Sequence, residues 1–302
     1  MKALVTGGAG FIGGKLVEFL VTEGHDVTVI DNCSAVEESL CFWNPKARNV
    51  ILDIRNLDEM QYLFQDVDCV FHMAALTSVQ VSIKNPIETY NVNIMGTCNV
   101  LECCRRALVP RVVFSSTSAI YESSDTPISE TNPVNCLSPY AATKFCGEEL
   151  MRTYHNLYGL ETIILRYFNV FGPEQKSEGH YAPVMAKFIE RVGHGQPLIV
   201  TGDGLQTRDF VHISDVVKAN YMAAICSKSN CNGRVYNVGS GESYRIIDIA
   251  RSISNNIEFT PSREGEVQHS TADIDRIKKE LGWAPEMNLP MWLQLTDHIR
   301  KP

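Results

Sequence analysis

Apolar positions along the first half of the chain alternate between short continuous runs and runs at helical spacing. Lys2–Thr6 is an apolar run of strand type. After a glycine-rich stretch, Leu16, Val17, Phe19 and Leu20 recur on one helix face as far as Gly24. Asp26–Ile30 reads as a second strand that ends at Asp31. Further strand-like runs fall at 50–52, 68–72, 111–115 and 162–166, with helical runs near 57–65, 86–107 and 139–158. This alternation predicts an α/β fold built on a doubly wound parallel sheet. Beyond Gly172 and Pro173 the pattern loosens. A polar stretch, 174–179, leads to a predicted helix over 181–193, a short strand at 197–201 and another at 234–238. The chain is expected to form a larger domain, 1–170 plus about 209–238, and a smaller C-terminal one, 171–208 plus about 239–302, with a cleft between them.

Composition narrows the class. The chain has 302 residues, 44% hydrophobic and 21% charged, which suits a globular protein with a substantial core. The net charge of −8 and the lack of a long basic run argue against nucleic acid or an anionic membrane surface as a partner. No apolar stretch reaches the ~20 residues of a membrane span, and glycine-rich sequence begins too early to follow a signal peptide. The ten cysteines include no C-x-x-C pair and no zinc-ligand spacing, so no metal is expected. They read as free thiols in a reducing cytoplasm, most of them packed as small hydrophobes.

Three motifs carry chemistry. The first is the glycine-rich turn TGGAGFIG at Thr6–Gly13, between strand and helix. Gly7, Gly10 and Gly13 allow a tight turn, close approach of a pyrophosphate and close packing of helix on strand, with the phosphates at the helix N-terminus. Asp31, ending the second strand, would accept hydrogen bonds from the adenosine ribose hydroxyls and repel a 2′-phosphate, which favours NAD over NADP. The second motif is Tyr140 with Lys144, one turn apart in the run YAATK. Such a pair puts a phenol and an ammonium on one helix face. The positive charge favours the phenolate and lowers a pKa that is otherwise near ~10, giving a general base. By itself the pair is also an ordinary helix surface. The third is Thr117, which follows the apolar strand; hydroxyls at such a strand end commonly satisfy local backbone, and a bond from this one to a substrate oxygen is what the resemblance described next implies.

Together with HMAA at 72–75, NVN at 91–93, SST at 115–117, RYFN at 166–169 and RDFVH at 208–212, these motifs resemble the extended short-chain dehydrogenases/reductases over essentially the whole chain. The resemblance is to the NAD-dependent epimerase/dehydratase group that acts on nucleotide sugars. It implies a Rossmann domain and Thr117, Tyr140 and Lys144 as the catalytic set. It implies cofactor contacts from Gly7, Gly10, Phe11, Ile12, Gly13, Asp31, Asn32, Ser34, Asp53, Ile54, Met73, Ala74, Ala75, Asn93, Ser115, Tyr140, Lys144 and Tyr167. It implies substrate contacts from Thr117, Tyr140, Asn169, Val184, Thr201, Arg208, Arg263, Glu266 and Ser270, the two arginines on a UDP pyrophosphate. It also implies a homodimer through the helices near 86–107 and 139–158, where Val100, Leu101, Leu150 and Tyr154 extend beyond one core face.

The fate of the oxidised sugar distinguishes members of such a group. Dehydratases in it carry an Asp-Glu pair directly after the catalytic Thr, and decarboxylases usually a Glu at the second of those positions. Here those positions hold Ser118 and Ala119. The expectation is therefore a UDP-hexose 4-epimerase acting on UDP-galactose and UDP-glucose through a transient 4-keto sugar. A small Ser270, where some relatives carry a Tyr, leaves UDP-N-acetylhexosamines as an alternative. A nucleotide-sugar reductase or dehydratase stays open as a lesser one. A catalytically dead NAD-binding relative commonly lacks the Tyr or the Lys, and both are present.

Overall fold

The protein is described by a computed structural model covering residues 1–34, 41–175, 183–262 and 267–295. Its strands are β1 (Lys2–Thr6), β2 (Asp26–Asp31), β3 (Arg48–Ile51), β4 (Cys69–His72), β5 (Arg111–Thr117), β6 (Glu161–Tyr167), β7 (Asn169–Phe171), β8 (Leu198–Thr201), β9 (Thr207–His212), β10 (Arg234–Val238), β11 (Ser243–Arg245) and β12 (Ile257–Thr260). Its helices are α1 (Phe11–Thr22), α2 (Leu57–Met60), α3 (Val79–Lys84), α4 (Pro86–Tyr90), α5 (Gly96–Ala107), α6 (Pro139–Tyr158), α7 (Val184–Gly193), α8 (Ile213–Ile225), α9 (Ile246–Ile253), α10 (Asp275–Leu281) and α11 (Leu289–Leu295).

Seven strands form one sheet in the order β3-β2-β1-β4-β5-β6-β10, every pair parallel. Alternate side chains enter opposite faces. Ala3, Val5, Val113, Ile163 and Leu165 pack with Leu16, Val17 and Leu20 of α1 and with Val216 and Ala219 of α8. Leu4, Val112, Phe114 and Ile164 pack with Val100, Leu101, Cys103 and Cys104 of α5 and Met151 of α6. Both faces are thus covered, which is why the strands read as nearly continuous apolar runs. Leu16, Val17 and Leu20 are fully buried. Each such side chain contributes ~1.5–3 kcal/mol.

A third core lies between residues 171 and 293, built by Phe171, Phe188, Leu198, Val200, Phe210, Ile249 and Trp292 among others. It sits around a three-stranded sheet, β11-β9-β7, and a two-stranded one, β12-β8. Between these pieces the chain returns to the large sheet with α8 and β10.

The run 86–107 is helical throughout, as expected, though not uniformly α, and one expectation needs correction. Pro86 opens α4, a π-turn spans Asn91–Met95, and α5 begins at Gly96. Val100 and Leu101 are wholly buried in the chain's own core, so they are not spare residues for pairing two chains. Leu150 and Tyr154 also pack partly against that core. All ten cysteines are free thiols. Burial pushes Cys69 and Cys103 up to about 12. Among the described residues, no helix is long and apolar enough to cross a membrane, and no His, Cys, Asp and Glu side chains group to hold a metal ion.

Candidate active site

The strand order reverses between β1 and β4, so the crevice at their carboxyl ends is where a doubly wound sheet binds its ligand. The glycine turn leaves β1 there. Gly7 has a φ of +72°, and a Cβ on it would sit 2.6 Å from the Ala74 nitrogen. A Cβ on Gly13 would meet the Gly7 carbonyl oxygen at 2.1 Å, so α1 can lie against the turn only as it stands. Gly10 caps α1 without a side chain, and no acid occupies the first turn. The amides of Phe11, Ile12 and Gly13 are therefore presented at a helix N-terminus without a competing carboxylate. This cradle fits a pyrophosphate.

Beside it, Asp31 is fixed by the Ala9 and Cys33 amides, which donate at 3.0 and 2.8 Å. Burial pushes its carboxyl up, and those amide bonds oppose the shift. Asn32 donates to Asp53 at 2.9 Å, and the Ser34 amide donates to Asn32. Arg55, which the motifs did not single out, forks onto Asp53 at 3.0 and 2.7 Å and reaches Glu88 of α4 at 2.9 Å. Its guanidinium holds the Asp53 carboxyl below its usual value. Asn32, Ser34, Arg55, Leu76, Val81 and Lys84 help line a cleft of about 710 Å³. Asp53 therefore anchors this end of the crevice, while Ile54 is buried behind it.

Met73, Ala74 and Ala75 come directly after β4 and are half-buried. Asn93, in the π-turn, donates to the Leu76 carbonyl at 3.0 Å and accepts from the Leu76 amide at 2.8 Å. Its second amide hydrogen goes to Thr143 at 3.0 Å.

The catalytic set stands on β5 and α6. Ser138 caps α6 by accepting from the Ala141 amide, and Pro139 takes the first turn. A Cβ on Gly147 would lie 2.5 Å from the Phe114 ring, so the glycine allows α6 to rest directly on β5. That contact buries Lys144, which is 4% exposed. Its ammonium donates to the Ser115 carbonyl at 2.9 Å and sits 5.0 Å from the centre of the Phe114 ring. Burial lowers Lys144 to about 8, and the Glu148 carboxylate one turn on pulls the other way. Tyr140, one turn before Lys144, is half-buried, and its amide donates to Ser82 of α3 at 3.1 Å. Thr117 ends β5 half-buried, its hydroxyl oxygen accepting from the Ala119 amide at 3.1 Å. Ser115 and Tyr167 share a hydrogen bond at 3.0 Å, and the Tyr167 hydroxyl donates to Asn220 of α8 at 2.9 Å. Burial pushes Tyr167 up to about 12. Its hydroxyl thus serves the interior, which leaves its ring and backbone for any nicotinamide contact.

On the other side, Asn169 opens β7 and donates to the Asp209 carbonyl at 3.1 Å. Arg208 on β9 donates to the Thr207 carbonyl at 2.8 Å. Ser270 is 7% exposed, in a segment joined to β9 by the Thr207 amide donating to Gln268 at 2.8 Å. The same segment is stitched to the loop after Thr117. The Ser124 amide donates to the His269 carbonyl, and the His269 amide to Ser123. Arg208, Ser270 and the Thr117 loop are therefore linked. Asp209, fully buried, organises this side by accepting from the amides of Ser240, Gly241 and Ala272. Val184 opens α7 and Thr201 ends β8, both half-buried, and Val184 packs against the third core. Arg263 and Glu266 lie outside the described residues.

A glycine cradle at the switch point of a parallel sheet, with a Tyr–Lys turn seated on the neighbouring strand, defines a dinucleotide-dependent enzyme of the extended short-chain dehydrogenase/reductase type. The chain belongs to the NAD dependent epimerase/dehydratase family, whose sequence profile matches residues 3–239, and NAD is its cofactor. It is 40% identical over 295 residues to a Methanocaldococcus jannaschii protein provisionally named a UDP-glucose 4-epimerase, covering 95% of this chain and 94% of that one. The fold matches a Thermotoga maritima UDP-glucose 4-epimerase solved with UDP-glucose at a TM-score of 0.92, with 33% identity over 99% of this chain and 98% of that one. It matches a UDP-N-acetylglucosamine 4-epimerase of Methanobrevibacter ruminantium M1, in complex with UDP-N-acetylmuramic acid, at 0.89, with 32% identity over 99% and 96%.

Proposed function

We propose that the protein is a nucleotide-sugar 4-epimerase that interconverts UDP-galactose and UDP-glucose. The observation that carries the reading is the combination of two features. Lys144 is buried and anchored to the Ser115 carbonyl one turn from Tyr140. The turn directly after Thr117, Ser118–Ile120, holds no acid that could drive elimination or decarboxylation. Tyr140 takes the proton from the sugar hydroxyl and later returns it, Lys144 favours the phenolate, and Thr117 bonds the reacting oxygen. Bound NAD supplies reversible uptake of a hydride from C4, so that the transient 4-keto sugar can be reduced on either face. Arg208, with Arg263, holds the UDP pyrophosphate, and Asn169, Val184, Thr201, Glu266 and Ser270 contribute to the sugar and uridine pocket.

This reading includes a cytoplasmic homodimer. It assigns the large parallel sheet, with α8 and β10, to NAD and the remaining C-terminal part to the nucleotide sugar. One observation favours a second substrate. Ser270 is small where the resemblance places a Tyr in some relatives, a difference in side-chain size that suits an N-acetyl group beside C2. Two epimerases of known structure, from Thermotoga and Methanobrevibacter, are similarly divided between the two substrate types. Purified protein incubated with UDP-galactose should yield UDP-glucose, resolved by separating the nucleotide sugars. No UDP-glucose at any enzyme level refutes that substrate pair, and a parallel incubation with UDP-N-acetylglucosamine decides for the second.

A further inference from the structure

His72, the last residue of β4, is 1% exposed and stands behind the cofactor crevice. It bonds Thr6 at the end of β1 through Nδ1 at 2.7 Å, and Thr97 in the first turn of α5 through Nε2 at 2.8 Å. The neighbours fix which nitrogen carries the proton. The Thr97 hydroxyl donates to the Asn93 carbonyl at 2.6 Å, so its oxygen is left to accept from His72. The Thr6 oxygen is already aimed at by the amides of Met73 and Ala74, at 3.2 and 3.3 Å, so its own hydrogen is left for the imidazole. The ring is then a neutral Nε2–H tautomer that accepts from Thr6 and donates to Thr97.

The chain of bonds continues in one direction. Asn93 holds Leu76 through both its amide and its carbonyl and donates to Thr143, whose hydroxyl donates to the Tyr140 carbonyl at 2.7 Å. The segment Met73–Leu76 is thus clamped at one end by Thr6 and at the other by Asn93, with His72 joining the two clamps. We propose that His72 is a positioning residue that fixes, through Thr6 and Thr97, both the crevice wall at Met73–Leu76 and the π-turn that braces the Tyr140 turn of α6. A protonated ring cannot serve, because Nδ1 must accept. Burial, reinforced by the nearby Lys144, holds His72 down to about 3, so the neutral form persists at every working pH.

The inference rests on the crevice being the NAD site, but not on the identity of the sugar. It is tested on the NAD-loaded protein without any substrate. Nitrogen NMR of ¹⁵N-histidine protein, with the signal assigned by its loss in a His72 variant, should show a neutral Nε2–H ring unchanged from pH 5 to 9. A protonated ring or an Nδ1–H tautomer overturns the proposal. The rate of NAD release is then compared in three variants. His72→Phe loses both bonds, His72→Asn keeps an acceptor near Thr6, and His72→Gln keeps a donor near Thr97. Release should quicken about tenfold or more in His72→Phe, with the amide variants in between, as expected for lost buried hydrogen bonds. Faster hydrogen exchange at the Leu76 amide should accompany it. Unchanged NAD release in folded His72→Asn and His72→Gln overturns the proposal even if His72→Phe does not fold.

Discussion

Removal of Glu148 should unfasten the catalytic helix, because its carboxylate is the junction of a fully buried network. Glu148 is 0% exposed and Arg166 is 2% exposed. The guanidinium donates to both carboxylate oxygens, at 2.8 and 2.6 Å, and Ser116 donates to one of them at 2.6 Å. The third guanidinium nitrogen donates to Tyr121 at 2.5 Å, and Tyr121 to Asn237 of β10 at 2.9 Å. One carboxylate therefore ties α6 to β5, β6 and β10, one turn from Lys144 and, through Ser116, one residue from Thr117.

In Glu148→Ala the arginine keeps its charge inside the protein, since it cannot give up its proton, and Arg152 beside it adds a like charge. Breaking one partner of a buried pair costs about 3–5 kcal/mol. Arg166→Met should cost less. The stranded Glu148 can accept a proton, and Arg152, already 3.7 Å away and one-third exposed, can move in. Combining Glu148→Ala with Arg166→Met should cost less than the two single changes added together, by about 2 kcal/mol or more, because no buried charge is left unpaired. Urea titrations followed by circular dichroism give the midpoints, and lowering the pH should ease the Arg166→Met deficit but not that of Glu148→Ala. A loss under about 1 kcal/mol in Glu148→Ala, or strict additivity in the double variant, would refute the reasoning.

Lys144 should make activity and stability diverge with pH. Below pH 8 it is protonated in both the folded and unfolded chain. Between about 8 and its ordinary 10.5 only the unfolded chain keeps the proton, so this group's contribution to stability rises with pH through that window. Activity needs the ammonium and should fall through the same window. Lys144→Arg, charged throughout, should move that alkaline limb upward whatever its absolute rate, and an unmoved limb would remove Lys144 as the titrating group. Ser270→Tyr should lose turnover of UDP-N-acetylglucosamine before that of UDP-glucose, read as kcat/KM on the two substrates. An equal loss on both would take Ser270 away from C2 of the sugar.

The strands of the large sheet were legible because both faces are buried, which leaves Val112–Phe114 and Ile163–Leu165 with no polar residue to interrupt them. In the small sheets only β8 carried an apolar run of that kind. In β12, Phe259 is 57% exposed and Glu258 is exposed too, so the strand exists through its pairing with β8 and not through an apolar pattern. The π-turn was hidden for another reason. Asn91–Met95 has the composition and spacing of ordinary helix, and only the partners of its polar groups set it apart. Tyr140 and Lys144 were visible as an i, i+4 pair. The burial that tunes Lys144 depends on Gly147 meeting Phe114, a contact no spacing rule reveals.

Several motif residues commit their polar atoms to the protein itself. Asp53 is gripped by Arg55, Asn93 uses its whole amide on Leu76 and Thr143, and Tyr167 gives its hydroxyl to Asn220. A side chain whose hydrogen bonds are already made cannot adjust to a ligand without breaking one, which costs about 1–3 kcal/mol when the group is buried. In this structure their polar groups hold neighbouring segments in place. Lys144, which donates to the Ser115 carbonyl, has two further donor hydrogens on its ammonium and can turn them to a ligand without releasing the strand. On the proposed epimerase reading NAD stays bound through both hydride transfers, so a cofactor crevice whose walls do not yield, with one adaptable cation beside them, suits that task.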